Sequence, residues 1–338
     1  MKYWNLTGAG RERLEVAEGD APVAGYGEVL VKVASVSLNY RDMLVIGGQI
    51  GVGRPDRFTP ASDMCGAVVA CGPGVTRFAV GDRVLSTYVP GWIDGRTPGT
   101  ASRPGVQTMG GPRQGVLAEY VALPAEWLVA APASLDDAQA STLPIAGVTA
   151  WYSLIEKGGL RAGQTVVAQG TGGVALFGVQ IAKAHGARVI VTSSDDAKLE
   201  RAKALGADIG INRLKTDWAQ AVLAATDGVG ADHILEIAAG PGLTKSVHAA
   251  ALHAQIAVIG VIEGLELTAP VVEVLTKQVT IRGIWVAHRR AAEDFVRAVD
   301  TLGLEPVIDA EYAFEDLQQA LDHLERGPFG KVVVRVGA

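Results

Sequence analysis

Apolar and polar positions follow two different rhythms along this chain, and the change falls close to Pro132. Before that residue, short runs rich in valine are separated by turns that contain glycine and proline. Val29–Ser37 alternates as a strand does, and Gly66–Ala70 and Val80–Val84 predict two more strands joined through turns. The first part of the chain is therefore typical of a small β-barrel with few helices.

After Pro132, apolar runs of strand length alternate with segments of helical periodicity. The predicted strands are Thr165–Gln169, Arg188–Thr192, Ala207–Asn212, His233–Ile237 and Gln255–Gly260. The helices that follow these strands end near His185, Leu205, Ala225 and Leu252. This alternation predicts a doubly wound parallel sheet with right-handed crossovers, to which Val279–Val286 adds a sixth strand.

The last part of the chain changes rhythm again. Arg290–Leu302 predicts a helix, and a strand near Val307, a helix over 314–325 and a strand at Lys331–Val336 follow it. Short strands suit the barrel better than the parallel sheet, so we expect the chain to return to its first domain. The predicted domains are 1–125 together with 303–338, and 126–302.

A glycine-rich turn connects the first strand of the parallel sheet to its helix. The turn reads Gly170-Thr171-Gly172-Gly173-Val174-Ala175, with alanine at the place of a third glycine. A turn of this kind brings backbone N–H groups and the positive end of a helix to one point, where a pyrophosphate fits. We therefore predict that Gly170, Gly172, Gly173 and Val174 bind a dinucleotide.

Composition narrows the class of protein. The chain has 338 residues and a net charge of −6, which favours neither nucleic acid nor an anionic membrane as a partner. With only two cysteines, Cys65 and Cys71, a disulfide framework is not expected, and a reducing cytoplasm is the natural setting. We expect no secretory leader in Met1–Glu15 and no membrane span, because the apolar stretch Leu143–Ile155 is too short.

Several motifs together give a specific resemblance to a known family. They are Ser37–Asp42, Cys71–Phe78, Val80–Val84, Ala146–Ala150, the Gly170 turn and Phe329–Val333. With this plan, the chain resembles the medium-chain dehydrogenase/reductase superfamily over essentially its whole length. The resemblance implies an α/β fold in which a doubly wound parallel Rossmann sheet accompanies a GroES-like β-barrel catalytic domain. Within the superfamily the chain is similar to zinc-free quinone and enone reductases, and also to proteins called zinc-type alcohol dehydrogenases.

These two branches differ in whether a catalytic zinc is held by a cysteine, a histidine and a second cysteine. The resemblance puts Asn39, Ser62 and Ile145 at these three positions, and none of them is a competent zinc ligand. Asp63, at the family's neighbouring glutamate position, would bind a metal only weakly by itself. The 90–115 segment occupies the family's structural-zinc lobe and contains no cysteine. We therefore expect no zinc, catalytic or structural.

The second strand of the parallel sheet bears on the choice of cofactor. NAD-selecting folds place an acid at its end, about 20 residues after the glycines, to bind the ribose 2′-hydroxyl. This chain has Ser193 and Ser194 there, which leave room for a 2′-phosphate. The resemblance puts Lys198 and Arg213 where similar NADPH-binding reductases keep groups that meet this phosphate. We therefore expect NADPH.

Structural explanations of the same residues stay open beside the functional ones. Lys198 is also compatible with a residue on the solvent-facing side of its helix that contacts no cofactor. Asp195 or Asp196 serves as a helix cap in one interpretation, and reaches a ribose in another, which would favour NADH.

Reduction of a quinone or an α,β-unsaturated carbonyl needs no metal, because the acceptor is already polarised and the cofactor carries the hydride. The catalytic candidates are Asn39, Tyr40 and Asp42, which the resemblance places on the cleft side of the barrel. Asn39 would present a neutral amide to nicotinamide or substrate. Tyr40 is either a proton donor or a packed wall residue, with solvent as the other proton source, and Asp42 forms at least an ion pair with Arg41.

Further pocket and cofactor positions follow from the resemblance. Tyr88 and Trp92 are candidates for the substrate pocket or for plain core, and the 90–115 segment is a candidate lid or surface loop. Lys331 is expected either to touch cofactor or to be an edge charge that blunts a strand. The remaining positions implied to contact the nicotinamide are Thr149, Gly260, Val261, Trp285 and Val286.

Two other functions are carried as alternatives. One is a metal-free alcohol or aldehyde dehydrogenase, and the other is a nucleotide-binding protein without turnover. In all three cases we expect a homodimer, because the apolar strand Val279–Val286 would form a sheet edge that invites pairing with a twofold mate.

Overall fold

The structure is a computed structural model, and it describes residues 1–50, 58–105 and 107–337. By contacts the chain divides into two compact units: Met1–Val148 with Val286–Ala338, and Thr149–Trp285. No helix among the described residues is long and apolar enough to cross a membrane.

In the first stretch of the chain, strands outnumber helices. Its strands are β1 (Lys2–Leu6), β2 (Leu14–Glu18), β3 (Glu28–Leu38), β4 (Asp63–Cys71), β5 (Arg83–Ser86), β6 (Gly99–Thr100), β7 (Arg103–Pro104), β8 (Tyr120–Pro124) and β9 (Leu128–Ala130). Its helices are α1 (Tyr40–Ile46), α2 (Asp137–Ser141) and α3 (Val148–Trp151), the last lying between π-helical turns at Leu143–Gly147 and Tyr152–Glu156.

The second stretch alternates strand and helix. It contains β10 (Thr165–Gln169), α4 (Gly173–Ala184), β11 (Arg188–Ser193), α5 (Asp196–Ala204), β12 (Ile209–Asn212), α6 (Trp218–Ala225), β13 (Ala231–Glu236), α7 (Gly242–Ala249), β14 (Ala250–Val258), α8 (Val271–Lys277) and β15 (Thr280–Gly283). The chain ends with α9 (Arg289–Leu302), β16 (Ile308–Ala313), α10 (Leu317–Glu325) and β17 (Lys331–Arg335).

The first unit is built on a sheet in the order β16-β17-β3-β4-β5-β9, with β8 paired to β3. In the first part of the long strand β3, buried residues alternate with less buried ones. Val29, Val31 and Val33 are buried in the core of this unit. Strand β17 is antiparallel to β3, so the last strand of the chain is part of this sheet. The end of the chain therefore pairs with a strand of its first part, where the sequence analysis expects it.

The second unit is a parallel six-stranded sheet in the order β12-β11-β10-β13-β14-β15. Its central strand β10, Thr165–Gln169, is buried over its full length, because helices cover both faces of such a sheet. Strand β15 stands at one edge, as predicted, but it spans Thr280–Gly283 and not Val279–Val286. Val286 has a left-handed backbone (φ 51°), which ends the strand geometry before this residue.

The division by contacts differs from the domain bounds expected from the sequence, which put 126–302 in one domain. Residues 126–148 and 286–302 belong to the first unit. The reason is pairing that the sequence does not display: β9 pairs with β5, and α9 packs against β9. Arg77 and Glu293 add an ion pair of 3.0 Å within the same unit.

Candidate active site

The glycine-rich turn of the second unit has the geometry of an anion site. Gly170 takes a left-handed backbone (φ 80°), and its N–H donates to the Thr192 carbonyl at 2.8 Å. Helix α4 follows at once, and its first helical bond runs from Leu176 N–H to Gly172 O at 3.0 Å. A Cβ built on Gly170 or Gly172 would meet no atom of the chain within 4 Å. The turn therefore faces open space. The N-terminus of α4, at Gly173 and Val174, is not capped by any side chain.

A buried polar network next to this turn is absent from the sequence prediction. Gln169 ends β10, and its amide donates to the carboxylate of Glu236 and to the hydroxyl of Ser246, both at 2.9 Å. The other carboxylate oxygen of Glu236 accepts from Ala238 N–H and Ala239 N–H, each at 2.9 Å. The network braces the loop after β13, at the carboxyl ends of the strands where ligands of such sheets bind. The only sign of this network in the sequence is that two apolar strands each end in a polar residue, β10 in Gln169 and β13 in Glu236.

The end of β11 carries the residues expected to select the cofactor. Ser193 is buried, and its hydroxyl accepts from Asp195 N–H at 3.2 Å. Asp195 caps α5 by accepting from Lys198 N–H at 3.1 Å, which confirms the helix-cap interpretation for this acid. Asp196 accepts from Asn212 at 2.7 Å and from Lys215 at 2.5 Å, and these hydrogen bonds lower the pKa of its carboxyl. Both acids are thus engaged by their own chain.

The two basic residues of this region differ in their exposure. Lys198 is half-buried on α5, and Arg213 is exposed directly after β12. The N–H of Arg213 donates to the carbonyl of Ser193 at 2.9 Å, so its backbone is fixed to the end of β11. Ser194, the residue after Ser193, is exposed. The structure therefore brings Ser193 and Arg213 together at one end of the sheet.

The other residues implied to meet the nicotinamide have varied surroundings. Gly260 comes shortly after β14 and packs tightly against the backbone that follows β13. A Cβ built on Gly260 would lie 2.0 Å from the carbonyl oxygen of Ile237. Val261 and Trp285 are exposed, and Thr149 is buried. Val286 is buried and begins the return to the first unit.

In the first unit, the catalytic candidates lie where β3 gives way to α1. Asn39 precedes α1, and its N–H donates to the Asp42 carboxylate at 2.8 Å. Asp42 is buried and pairs with Arg41 at 3.1 Å. Tyr40 is 46% exposed, so its interpretation as a packed wall residue is wrong. The pKa of the Asp42 carboxyl is raised by burial, against which the charge of Arg41 acts.

Asp63 is the centre of a second hydrogen-bond set. One carboxylate oxygen accepts from the Ser62 hydroxyl at 2.7 Å and the other from Ile145 N–H at 3.0 Å. The Asn39 side chain also donates towards this carboxylate. Burial raises the pKa of Asp63 to about 6. The structure thus brings together Asn39, Ser62 and Ile145, the positions at which the resemblance puts zinc ligands.

These residues do not fit a catalytic zinc. An amide, a hydroxyl and an apolar side chain stand at the three positions, and zinc requires thiolate, imidazole or carboxylate. Among the described residues there is also no group of three or more His, Cys, Asp and Glu side chains that could hold a metal ion.

Lys331 joins the same part of the first unit from β17. Its ammonium donates to the carbonyl of Leu38 and to Asn39 Oδ1, both at 2.6 Å. The side chain is buried, and β17 lies between β16 and β3. The interpretation of Lys331 as a charge on a sheet edge is therefore wrong, because β17 is an inner strand.

The aromatic candidates Tyr88 and Trp92 are both buried in the first unit. Tyr88 lies under the guanidinium of Arg41 at 5.2 Å, and burial raises the pKa of its hydroxyl. Trp92 packs edge-on against His288, whose ring nitrogen caps α9 by accepting from Ala291 N–H at 3.0 Å. The 90–115 segment, which includes Trp92 and begins two residues after Tyr88, contains the short β6–β7 pair, and its Val106 lies outside the described residues.

Comparison with known proteins agrees with this architecture. The model of the alcohol dehydrogenase GroES-like domain matches residues 25–133, and that of the zinc-binding dehydrogenase family matches 173–303. A zinc-type alcohol dehydrogenase-like protein of Schizosaccharomyces pombe is 36% identical over 337 residues, covering 97% of this chain and 96% of that protein.

Solved structures give the same picture. A provisionally assigned alcohol dehydrogenase of Sinorhizobium meliloti 1021 superposes with a TM-score of 0.96 at 56% identity, covering 99% of this chain and 98% of its own. An NAD-dependent alcohol dehydrogenase superposes with a TM-score of 0.91 at 34% identity, with full coverage of both chains. The protein belongs to the medium-chain dehydrogenase/reductase superfamily, with a GroES-like domain and a parallel Rossmann domain. It is an alcohol dehydrogenase-like, NAD(P)H-dependent oxidoreductase.

Proposed function

We propose that the protein is an NADPH-dependent oxidoreductase that reduces quinones, enones or similar activated carbonyl acceptors by hydride transfer without zinc. One observation carries the proposal: the positions of the family's zinc ligands are occupied by Asn39, Ser62 and Ile145, which hydrogen-bond around Asp63 and offer no competent ligand set. An alcohol needs a strong Lewis acid or a base to lose its O–H proton as hydride leaves. A conjugated acceptor needs neither.

The bound nicotinamide would supply a hydride, two electrons with one proton, to the electrophilic atom of the acceptor. Solvent then delivers a second proton to the acceptor, so that NADPH, a proton and the acceptor give NADP⁺ and the reduced product. The chain's task is to bind the dinucleotide at the Gly170–Val174 turn and to hold the acceptor in reacting geometry.

The preference for NADPH rests on the end of β11. Asp195 and Asp196, the acids that would bind a ribose 2′-hydroxyl, are held by their own chain. We propose that Ser193 and Ser194 leave space for the 2′-phosphate and that Lys198 and Arg213 provide the positive charge that meets it.

Within the first unit, Tyr40 is the catalytic candidate with an exposed side chain. Asn39 and Asp42 act from the interior, where they fix the start of α1. We propose that solvent supplies the proton to the acceptor. Tyr40 is the side chain that would supply this proton in place of solvent.

We also infer a reducing, cytoplasmic setting and a homodimer. Cys65 is a buried free thiol and Cys71 an exposed one, which suits a compartment that keeps thiols reduced. The edge strand β15 of the parallel sheet is the surface proposed for the twofold contact.

A second candidate is a metal-free alcohol or aldehyde dehydrogenase, favoured by the alcohol dehydrogenases among the similar structures. The third, a nucleotide-binding protein without turnover, shares the same glycine-rich turn.

The test is steady-state oxidation of NADPH and NADH with a panel of quinones, enones and aldehydes, together with simple alcohols and NADP⁺ in the reverse direction. The proposal predicts turnover of quinones or enones with a higher kcat/KM for NADPH than for NADH. Turnover of simple alcohols alone supports the second candidate. Tight NADPH binding with no turnover of any compound supports the third. Equal kcat/KM for the two cofactors contradicts the NADPH assignment.

A further inference from the structure

Lys331 is a buried cation that is hydrogen-bonded to its own unit. The residue is 5% exposed, and its ammonium donates two short hydrogen bonds, to the Leu38 carbonyl and to Asn39 Oδ1, at 2.6 Å each. An ammonium group that leaves water is costly unless it is paired and hydrogen-bonded. A lysine at this inner position of β17 therefore needs a reason beyond packing, which an apolar residue would serve better.

The surroundings of Lys331 supply its counter-charges. Asp42 and Asp63 are both fully buried, and each raises the pKa of Lys331, against the larger effect of burial, which lowers it. Arg41 pairs with Asp42 at 3.1 Å and lies over the Tyr88 ring. Two cations thus balance two carboxylates inside one unit, with Tyr88 as the neighbouring neutral titratable group.

The same lysine fixes the orientation of one amide. Because Asn39 Oδ1 accepts from Lys331, the NH₂ group of Asn39 is turned towards the Ser37 carbonyl, at 3.4 Å, and towards Asp63. Asp63 in turn holds the Ser62 hydroxyl and the Ile145 N–H. One chain of contacts therefore runs from Lys331 through Asn39 to Asp63.

We propose that the ammonium of Lys331 is the resident cation of this site, a positioning residue that orients Asn39 and balances Asp42 and Asp63 where metal-dependent relatives would use a bound ion. The proposal rests on the metal-free chemistry proposed above. It differs from the expectation that Lys331 binds cofactor, because both of its hydrogen bonds are made to its own unit. Loss of this charge acts on the geometry of the first unit and leaves the affinity for NADPH unchanged.

The test compares the parent protein with Asp63→Asn, with Lys331→Met and with the double variant Lys331→Met/Asp63→Asn. Met is unbranched like Lys, one atom shorter, and carries no charge. If Lys331 balances Asp63, Asp63→Asn is expected to raise the unfolding temperature more in Lys331→Met than in the parent protein at the same pH. A matched control is the exposed ion pair of Lys2 and Glu315, at 3.1 Å. Lys2→Met with and without Glu315→Gln is expected to show changes that simply add.

Function provides the second readout. In each Lys331 variant that is folded, kcat is expected to fall about ten-fold or more, while KM for NADPH changes less than about two-fold. NADPH affinity measured by fluorescence titration is expected to match that of the parent protein. The titration and the unfolding comparison need no turnover, so they test Lys331 even where the wild-type protein reduces no acceptor.

Two results would overturn the proposal. One is an Asp63→Asn change that shifts the unfolding temperature equally in the parent protein and in Lys331→Met, which would mean that cation and carboxylate do not balance each other. The other is a folded Lys331 variant whose NADPH affinity falls about ten-fold or more with kcat unchanged, which marks a cofactor contact.

Discussion

The ammonium nitrogen of Lys331 lies 2.6 Å from Asn39 Oδ1, so the last strand of the chain holds the start of its first helix. Asn39 and Lys331 are 292 positions apart in sequence. The contact joins β17 to the β3–α1 junction, and Asp63 extends it to Ser62 and Ile145. The residues at the positions of the family's zinc ligands are thus hydrogen-bonded to the carboxylate of Asp63.

The first prediction concerns the pH dependence of Asp63. Burial raises the pKa of its carboxyl to about 6, from an ordinary value near 4. Because the folded state binds this proton more tightly, the stabilisation is complete below the ordinary pKa and is lost as pH rises through about 6. Asp63→Asn is therefore expected to gain about 1–3 kcal/mol of unfolding free energy, relative to the parent, between about pH 4.5 and about pH 7.5.

Denaturant unfolding of both proteins at the two pH values measures this gain. A difference between variant and parent that is the same at both values would contradict the account of Asp63.

The second prediction concerns the nucleotide turn. Gly172→Val is expected to fold normally, because a Cβ there meets no atom of the chain within 4 Å. The added methyl groups enter the space in front of the helix N-terminus, so NADPH affinity is expected to fall roughly ten-fold or more, which is about 1.4 kcal/mol or more. Isothermal titration measures the affinity, and thermal unfolding checks the fold.

The exposed Gly337 gives a matched control, since its nearest neighbour lies 4.0 Å from a built Cβ. Gly337→Val is expected to leave NADPH affinity unchanged. Unchanged affinity in Gly172→Val would show that the dinucleotide does not lie over this turn.

The third prediction concerns cofactor selection. Arg213→Ala is expected to raise KM for NADPH about ten-fold, because it removes a charge-assisted contact to the 2′-phosphate, and to leave KM for NADH nearly unchanged. The control is Arg188→Ala, an exposed arginine at the opposite end of β11. Equal effects of Arg213→Ala on both cofactors would exclude Arg213 as a selector.

The fourth prediction concerns assembly. Strand β15 lies at the edge of its sheet, and the segment that precedes it in sequence carries several strongly exposed apolar side chains, namely Ile262, Leu265, Val271, Val272 and Leu275. An open sheet edge and exposed apolar side chains both favour pairing with a second copy. Light scattering at micromolar concentration is expected to give twice the chain mass of 35.1 kDa, and a monomer would contradict this.

Much of the architecture follows from local patterns. The strand Thr165–Gln169 has the predicted bounds, since an apolar run bounded by a glycine turn leaves little ambiguity. The turn itself was identifiable because strand, glycines and helix are contiguous in sequence.

The parts that were missed depend on contacts distant in sequence. The order β16-β17-β3 makes Lys331 an interior residue, although its neighbours Val332–Val334 are equally compatible with an edge strand. The network of Gln169, Glu236 and Ser246 likewise spans three separate segments. Domain bounds moved for the same reason, because the pairing of β9 with β5 carries no local signal.

Metal-independent reduction is tested most directly by measuring zinc content and activity on the same sample. The protein is dialysed against a chelator, its zinc is determined by mass spectrometry, and NADPH oxidation is followed with a quinone and a cyclic enone. We predict strongly substoichiometric zinc and a rate per chain that neither the chelator nor added zinc changes. A rate that disappears with the metal and returns when zinc is added would contradict the account.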